Sequence, residues 1–377
     1  MKFGREQVIT IAALIAVYAA FYLCRANVDS SFPLLTQAFG YDKEQLGRLA
    51  SAGIFAYAVG KLVLGIATDW VGGFRMLLLV IAGSVAATLC LGRMSSLAWL
   101  MAFAVLNRFF QAGGWCSVVE ISSRTFEATR YGTVMGLVSS SYELGNVLAL
   151  LLCGTLIRAG LGWRSLFVAN PILFTAVGAV SLFLLRAARR PPGYRGPDAA
   201  PAGTPEKAAD PALRAGSVGD LFLKPTFWGA LLLSFLLTFI RTGFLTWMPT
   251  FLAEAAGTTQ AAAATGIIKS AVFPAAGMIG ALAAGRVSDV YGPGRRGPVI
   301  ILCLALLSVS VLALGHAGIH NSRIAIGAIA CSGLFLLGPY SLVGGAVVLD
   351  IAANTRPALV SGMLDSAGYI GATLSGV

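Results

Sequence analysis

Eleven long, mainly apolar stretches, near positions 8–36, 47–68, 75–92, 97–122, 133–157, 164–186, 226–253, 262–286, 298–315, 323–349 and 358–377, leave little of this chain outside them. A helix needs roughly 20 such residues to cross ~30 Å of hydrocarbon. Inside a bilayer only helices and closed barrels satisfy their backbone hydrogen bonds. The stretches are continuous rather than alternating segments of about ten residues, which excludes a barrel. The fold class is therefore an all-α polytopic membrane protein. Only 11% of the residues are charged, against about a quarter in soluble domains, so a soluble enzyme is excluded.

The formal net charge of +11 would suggest nucleic acid if the chain were soluble. Its distribution marks topology instead. With the N-terminus inside, the outer connections carry only Lys43, Arg48, Arg93, Arg158, Arg164 and Arg323, and the inner segments hold most of the rest. The positive-inside rule then places the N-terminus and the central linker in the cytoplasm, in a cell (inner or plasma) membrane, with the lipid bilayer as partner and no nucleic acid. Val8 to Cys24 could pass for a signal peptide, but no small-residue cleavage site or polar mature domain follows, so it is the first span. Six cysteines (Cys24, Cys90, Cys116, Cys153, Cys303, Cys331) lie inside apolar runs without CxxC spacing and read as small buried apolar residues. His316 and His320 share one short polar connection, so no metal site is expected. No nucleophile elbow or phosphate-binding loop is present, so the sequence implies neither an enzyme nor a cofactor.

Between the sixth and seventh stretches, Pro191, Pro192, Pro197, Pro201, Pro205 and Pro211 stand among Ala, Gly and charged residues, the composition of a flexible linker. The domain reading is an N-terminal six-helix bundle (1–186), a cytoplasmic Pro-rich linker (187–220) and a C-terminal bundle (221–377) with five helices. The two halves repeat one another. Arg25 and Pro33 recur as Arg241 and Pro249. Gly65-x-x-x-Asp69-x-x-Gly72 recurs as Gly285-x-x-x-Asp289-x-x-Gly292, and Arg130, Gly136 and Gly145 recur as Arg356, Gly362 and Gly371, each about 220 residues later. Matches in the same order point to duplication of a six-helix unit.

The segment Gly65 to Arg75 joins the second and third spans. Its glycines let helix ends approach, and Asp69 can accept hydrogen bonds from neighbouring helix N-termini or from arginines. A pair of such hinges lets bundles close on one side and separate on the other, so Gly65, Asp69, Gly72, Arg75, Gly285, Asp289 and Gly292 are read as gating residues. This block, occurring twice, resembles the signature of the major facilitator superfamily of secondary transporters. Arg108-Phe-Phe-Gln111-Ala-Gly113 resembles that family's R-x-x-Q-G motif, and Gly162-Trp163-Arg164-Ser-Leu-Phe167 its G-W-R-x-x-F element. The resemblance covers essentially the whole chain and implies two pseudo-symmetric six-helix bundles working by alternating access, as a monomer. The duplicated pattern also demands a twelfth helix after Val377, which is missing from this chain.

Within the superfamily the chain most resembles the organophosphate:phosphate antiporters. The residues that carry this are Tyr22-Leu-Cys-Arg25-Ala-Asn27 with Pro33, Ala56-Tyr57-Ala-Val-Gly-Lys61, Arg241-Thr-Gly243-Phe-Leu-Thr-Trp247-Met-Pro249, and Gly338-Pro339-Tyr340. The resemblance implies that Arg25 and Arg241 bind phosphate and that Lys61 lines the same cavity. It further implies that the partners are a small anionic metabolite and inorganic phosphate. The chain departs from that family at Tyr142, which replaces a histidine, at Glu143, which replaces an asparagine, and at Thr238, which replaces a tyrosine.

Physical chemistry points the same way. A cation at mid-bilayer costs several kcal/mol unless it faces a cavity or a partner, and Arg241 lies roughly 22 Å into its span at 1.5 Å per residue. Guanidinium groups bind phosphate or carboxylate in bidentate fashion, so two of them can clamp a dianion. The hydroxyls of Tyr22, Tyr142 and Tyr340 can add hydrogen bonds. Arg108, Glu143, Lys269 and Asp365 are further ionisable groups at membrane depth. They are read either as proton-coupling sites or as static charge partners. Alternatives to phosphate antiport are a proton-coupled symporter of an organic carboxylate and a non-transporting membrane sensor of a phosphate ester.

Overall fold

The computed structural model describes residues 4–126, 128–188, 221–257, 259–291, 296–317, 322–351 and 357–376. Its first part holds α1 (Arg5–Phe21), α2 (Leu23–Phe39), α3 (Lys43–Val71), α4 (Gly73–Leu91), α5 (Leu97–Thr125), α6 (Ala128–Ser139), α7 (Ser141–Arg158) and, after a short turn at Trp163–Ser165, α8 (Leu166–Ala187). The second part holds α9 (Pro225–Ala256), α10 (Gln260–Ser270), α11 (Val272–Tyr291), α12 (Gly297–Ala317), α13 (Ser322–Leu342), a π-helical turn at Val343–Val347, α14 (Val348–Ile351) and α15 (Pro357–Leu374). Apart from single-residue breaks such as Tyr22, Ser140 and Ala271, these form one helical run for each of the eleven apolar stretches. No strand occurs among the described residues.

Local chemistry sets the boundaries. Asp42 caps α3, its carboxylate accepting the Gln45 N–H at 2.7 Å while Gln45 reaches back to Asp42, a capping box. Between α3 and α4 the chain turns on the single residue Gly72, whose φ of +83° a side chain would disfavour. Nine helical runs among the described residues are long and apolar enough to cross a membrane. Helix α5 is not one of them, because Asn107, Arg108 and Gln111 interrupt its apolar sequence, and neither is the shorter α15.

The described residues divide into two compact units. The first contains α1 to α8 together with Leu245–Ala271; the second contains α9 up to Phe244 and the segment from Val272 to Ser375. This differs from a division at the linker, of which 189–220 lie outside the described residues. The reason is packing: Ala263, Ala264 and Ile267 are fully buried in the core of the first unit. Gly154 of α7 meets α10 so closely that a Cβ there would stand 3.1 Å from the Ala264 carbonyl. Lys43 and Glu254 pair at 2.8 Å within the same unit.

Phe21, Phe32, Phe167 and Phe174 fill the core of the first unit. Helices α3 and α5 pack along one another through Gly60, where a Cβ would lie 2.8 Å from the Phe109 carbonyl oxygen and 2.9 Å from the Ala112 methyl. In the second unit α11 and α13 meet through Gly277 and Gly333, as expected where helices associate by close packing in lipid. Burial of cysteine is incomplete, since Cys331 is exposed on α13.

Gly60→Ala is expected to destabilise the protein by about 1–3 kcal/mol through overpacking, measured as thermal or denaturant unfolding in detergent micelles. Gly229→Ala, where no atom lies within 4 Å of a new Cβ, should be neutral or slightly stabilising.

Candidate functional site

Arg25 stands in the first turn of α2, just past the break at Tyr22. Its guanidinium lies between two aromatic faces, 4.7 Å from the Tyr22 ring centroid and 4.6 Å from that of Tyr57 on α3. Cation–π attraction strengthens as water is excluded, so the two rings hold the charge and fix its plane. Nε donates to Gln111 Oε1 of α5 at 2.9 Å. The Lys61 ammonium stands 5.8 Å from the centroid of the same Tyr57 ring.

Gln111 is itself held from three directions. Its amide nitrogen donates to the Cys24 carbonyl at 2.7 Å, to Asn107 Oδ1 at 3.0 Å and to Ser84 Oγ at 3.3 Å. Asn107 donates in turn to Thr88 Oγ1 at 2.7 Å and to Ser84. These side chains are all fully buried. Such a connected network rigidifies the groups it joins, and each member lost leaves others unsatisfied. One turn beyond Arg25, Asp29 pairs with Arg108 at 3.3 Å, side chains 11% and 13% exposed. Arg108 also donates to the Arg25 carbonyl at 3.4 Å.

An aromatic box adjoins the arginine. Ring centroids of Tyr18 and Trp115 lie 5.1 Å apart, Trp115 and Tyr142 5.1 Å, Tyr18 and Tyr142 5.4 Å, and Tyr18 and Tyr22 6.1 Å. Helices α1, α5 and α7 thus contribute faces beside Arg25. In the second unit the Arg241 guanidinium lies 5.1 Å from the Tyr340 ring of α13. Each half therefore sets its arginine on tyrosine.

The structure thus brings Arg25, Tyr22, Lys61, Tyr142 and Arg108 into one neighbourhood of the first unit and places Arg241 with Tyr340 in the second. Glu143 is buried on α7 beside Tyr142, and Lys269 is half-buried on α10. Asp365 is exposed on α15. At the other end of the spans, Gly65, Asp69, Gly72 and Arg75 flank the α3–α4 turn. The acceptor at the start of α4 is Glu120, which takes the Gly73 N–H at 2.8 Å, whereas Asp69 is exposed. The expectation for Asp69 is corrected in that respect: α5 ends close enough to offer a longer carboxylate. In the second half Gly285 is half-buried, and Gly292 and the side chain of Asp289 lie outside the described residues. There Arg296 pairs with Asp350 at 2.8 Å and donates to Ser288 at 3.0 Å. Sequence reading missed Tyr18, Asn107, Trp115 and this Arg296–Asp350 pair as contributors, and quoted Tyr57 and Gln111 as motif residues without a role. Their signal was polar or amphipathic residues inside apolar stretches, with Gln111 one turn after Arg108.

These are the features of a membrane transporter, and residues 14–376 match the Major Facilitator Superfamily. The chain belongs to that family and is a multi-pass membrane protein. It is 26% identical over 376 residues to a Chlamydia pneumoniae protein named "Probable hexose phosphate transport protein", covering 95% of this chain and 81% of that one. It is 23% identical to the glycerol-3-phosphate transporter of Bacillus subtilis, covering 94% and 81%. These relatives fit the organophosphate:phosphate antiporter family that the motifs resemble. In fold it is similar to a bacterial homologue of the human lysosomal transporter Spinster, with a TM-score of 0.74 at 17% identity, covering 100% of this chain and 82% of that one.

Removing one member of a buried ion pair costs about 3–5 kcal/mol. Asp29→Asn is expected to lose stability on that scale, and adding Arg108→Gln should recover part of it, read as a double-mutant cycle of unfolding midpoints.

Proposed function

We propose that this transporter exchanges a phosphorylated organic metabolite for inorganic phosphate. The observation that carries the proposal is the setting of Arg25. A guanidinium deep in an apolar helix is oriented by a buried amide and two ring faces, which is how a planar group is presented to the oxygens of a phosphate. The names of the relatives, transporters of hexose phosphate and of glycerol-3-phosphate, support the same substrate class.

In this reading Arg25 from one half and Arg241 from the other bind one phosphate, with Lys61 adding charge. Tyr22 and Tyr142 contribute hydroxyls, while Tyr18 and Trp115 supply apolar faces to the organic part. Binding energy realised only when both arginines engage the anion lowers the barrier to reorientation, so the loaded carrier cycles and the empty one does not. That makes the carrier an obligatory exchanger. The turns at Gly65–Arg75 and Gly285–Gly292 act as the gates, on a cytoplasmic face that also bears the N-terminus and linker, and the working unit is a monomer. Arg108 serves as the charge partner of Asp29, while Glu143, Lys269 and Asp365 set the local charge balance.

The test is exchange of labelled phosphate by the full-length transporter in proteoliposomes preloaded with phosphate, glycerol-3-phosphate, a hexose phosphate or a dicarboxylate. Exchange is expected with phosphate and the phosphate esters, without a proton gradient. Arg25→Lys or Arg241→Lys keeps the charge but loses the bidentate geometry, and the rate should fall tenfold or more, on the order of one charged hydrogen bond. Carboxylate uptake driven by protons and abolished by Glu143→Gln would replace this reading with symport. Saturable binding of a phosphate ester with no flux would replace it with a sensor.

Gln111→Leu keeps the volume but removes the acceptor for Arg25 Nε. It should weaken phosphate affinity by about tenfold, measured by competition, with Arg25→Ala giving no further response to the Gln111 change.

A further inference from the structure

Helix α9 runs for 32 residues from Pro225 to Ala256, roughly 48 Å at 1.5 Å per residue, against a hydrocarbon core of ~30 Å. Its length alone does not say which part lies in the core. The residues at its start do. Phe222, Phe227 and Trp228 form a knot of rings with centroids 5.5, 6.1 and 6.2 Å apart. The Trp228 indole N–H donates to the Phe222 carbonyl at 2.9 Å, and the Phe227 N–H to the Lys224 carbonyl at 3.0 Å, so the chain folds back on the first turn of α9. Leu221 and Phe227 are fully buried beneath it. The knot is thus a built part of the second unit and not a frayed end.

Its outer side is apolar and bare. Leu223 is 81% exposed, Trp228 55% and Phe222 45%, and large apolar side chains grouped in this way mark an interaction surface. What covers them follows from the helix itself. Trp228 is followed at helical spacing by Leu232, Leu236 and Phe239, all exposed. The patch is therefore the end of a continuous apolar stripe on a helix long and apolar enough to cross a membrane. At the knot the stripe meets a charge, the exposed Lys224. An indole beside an ammonium on a long stem, at the end of an apolar stripe, is the pattern found where acyl chains give way to headgroups.

We propose that Phe222, Leu223 and Trp228 form an interfacial anchor, seated in the bilayer at the boundary between hydrocarbon and headgroups, with Lys224 reaching the headgroup level. Anchors of this kind set the depth and tilt of the helix that carries them. Arg241 comes thirteen residues after Trp228, roughly 20 Å along the helix. With Trp228 at one boundary, the Arg241 backbone stands roughly 5 Å beyond the midplane of a ~30 Å core. Pro249 then falls near the other boundary, and the remainder of α9 projects past it. The Tyr340 ring, 5.1 Å from the Arg241 guanidinium, shares that depth on α13. A buried cation is thereby kept from sliding towards either surface, because any shift of α9 along its axis carries the indole into hydrocarbon or into water.

The test is fluorescence quenching of the full-length protein in nanodiscs of phosphatidylcholine brominated just below the headgroup, at mid-chain or at the chain end. Subtracting the emission of Trp228→Phe from that of the wild type isolates one of the six tryptophans. That component is expected to be lost with bromine just below the headgroup, retained with bromine at the chain end, and protected from aqueous acrylamide. Three results overturn the anchor. Loss to acrylamide with no loss to any brominated lipid puts the patch in water. Protection from every quencher puts a protein surface over it, either the linker or a second copy of the chain. Strongest loss to chain-end bromine buries it in hydrocarbon. Leu223→Cys carrying a nitroxide reads the same depth with the indole in place, and so decides the matter if Trp228→Phe does not fold. Measured against the labelled wild type, in which Cys331 is exposed, its collisions with oxygen should exceed those with an aqueous nickel chelate, and the reverse overturns the proposal.

Discussion

A cation inside hydrocarbon is the constraint on which the first unit depends. Arg25 is tolerated in α2 because its neighbours replace the water it has lost: an amide oxygen takes its Nε–H, and two tyrosine rings cover its faces. Each of those neighbours must then be fixed. Gln111 is fixed by the Cys24 carbonyl and by Asn107, and Asn107 by Ser84 and Thr88 of α4. Tyr57 is brought within reach by the close approach of α3 and α5 at Gly60. The packing of four helices thus follows from accommodating one guanidinium.

The two halves meet the same constraint with different residues, as expected of a duplication whose copies have diverged. Arg25 has Tyr22 and Tyr57, and Arg241 has Tyr340. Towards the end of the fourth span of each half stands one acid, Glu120 and Asp350. The first accepts a backbone N–H at the start of the third span, and the second accepts the guanidinium of Arg296 just ahead of the corresponding span. In both cases a carboxylate at the end of one helix meets positive charge at the beginning of another, where the helix dipole favours it. In the register of the repeat Asp350 corresponds to Arg124, about one turn beyond Glu120, so the acid has shifted along the helix as its donor changed.

The helices and their order were legible in the sequence because hydrophobicity alone specifies spans in a bilayer. Breaks inside a span were not. Tyr22 and Ser140 interrupt helices without glycine or proline at the break, and a hydropathy window has no means to detect them, whereas the break at Ala271 falls one turn before Pro274. Arg25, Lys61, Arg108 and Arg241 were legible because a charge in an apolar run demands an explanation. Tyr18 and Trp115 were not, since an aromatic in a membrane helix usually packs against lipid or neighbours, and only the fold shows these rings meeting one another and Tyr142. Asp69 stood out by its motif, yet Glu120, with no motif of its own, caps α4.

The chemistry of Arg25 also bears on what it can bind. A carboxylate held against a guanidinium cancels its charge and competes with any anionic ligand, as Asp29 does for Arg108. An amide oxygen and ring faces orient a guanidinium while leaving its net charge in place. The chain uses both arrangements one helical turn apart. Arg108 is paired with Asp29 and also donates to the Arg25 carbonyl, while Gln111 and the rings of Tyr22 and Tyr57 are among the groups that orient Arg25. In the exchange reading proposed above, a carboxylate in place of Gln111 would keep the hydrogen bond to Arg25 and compete with the anion for it.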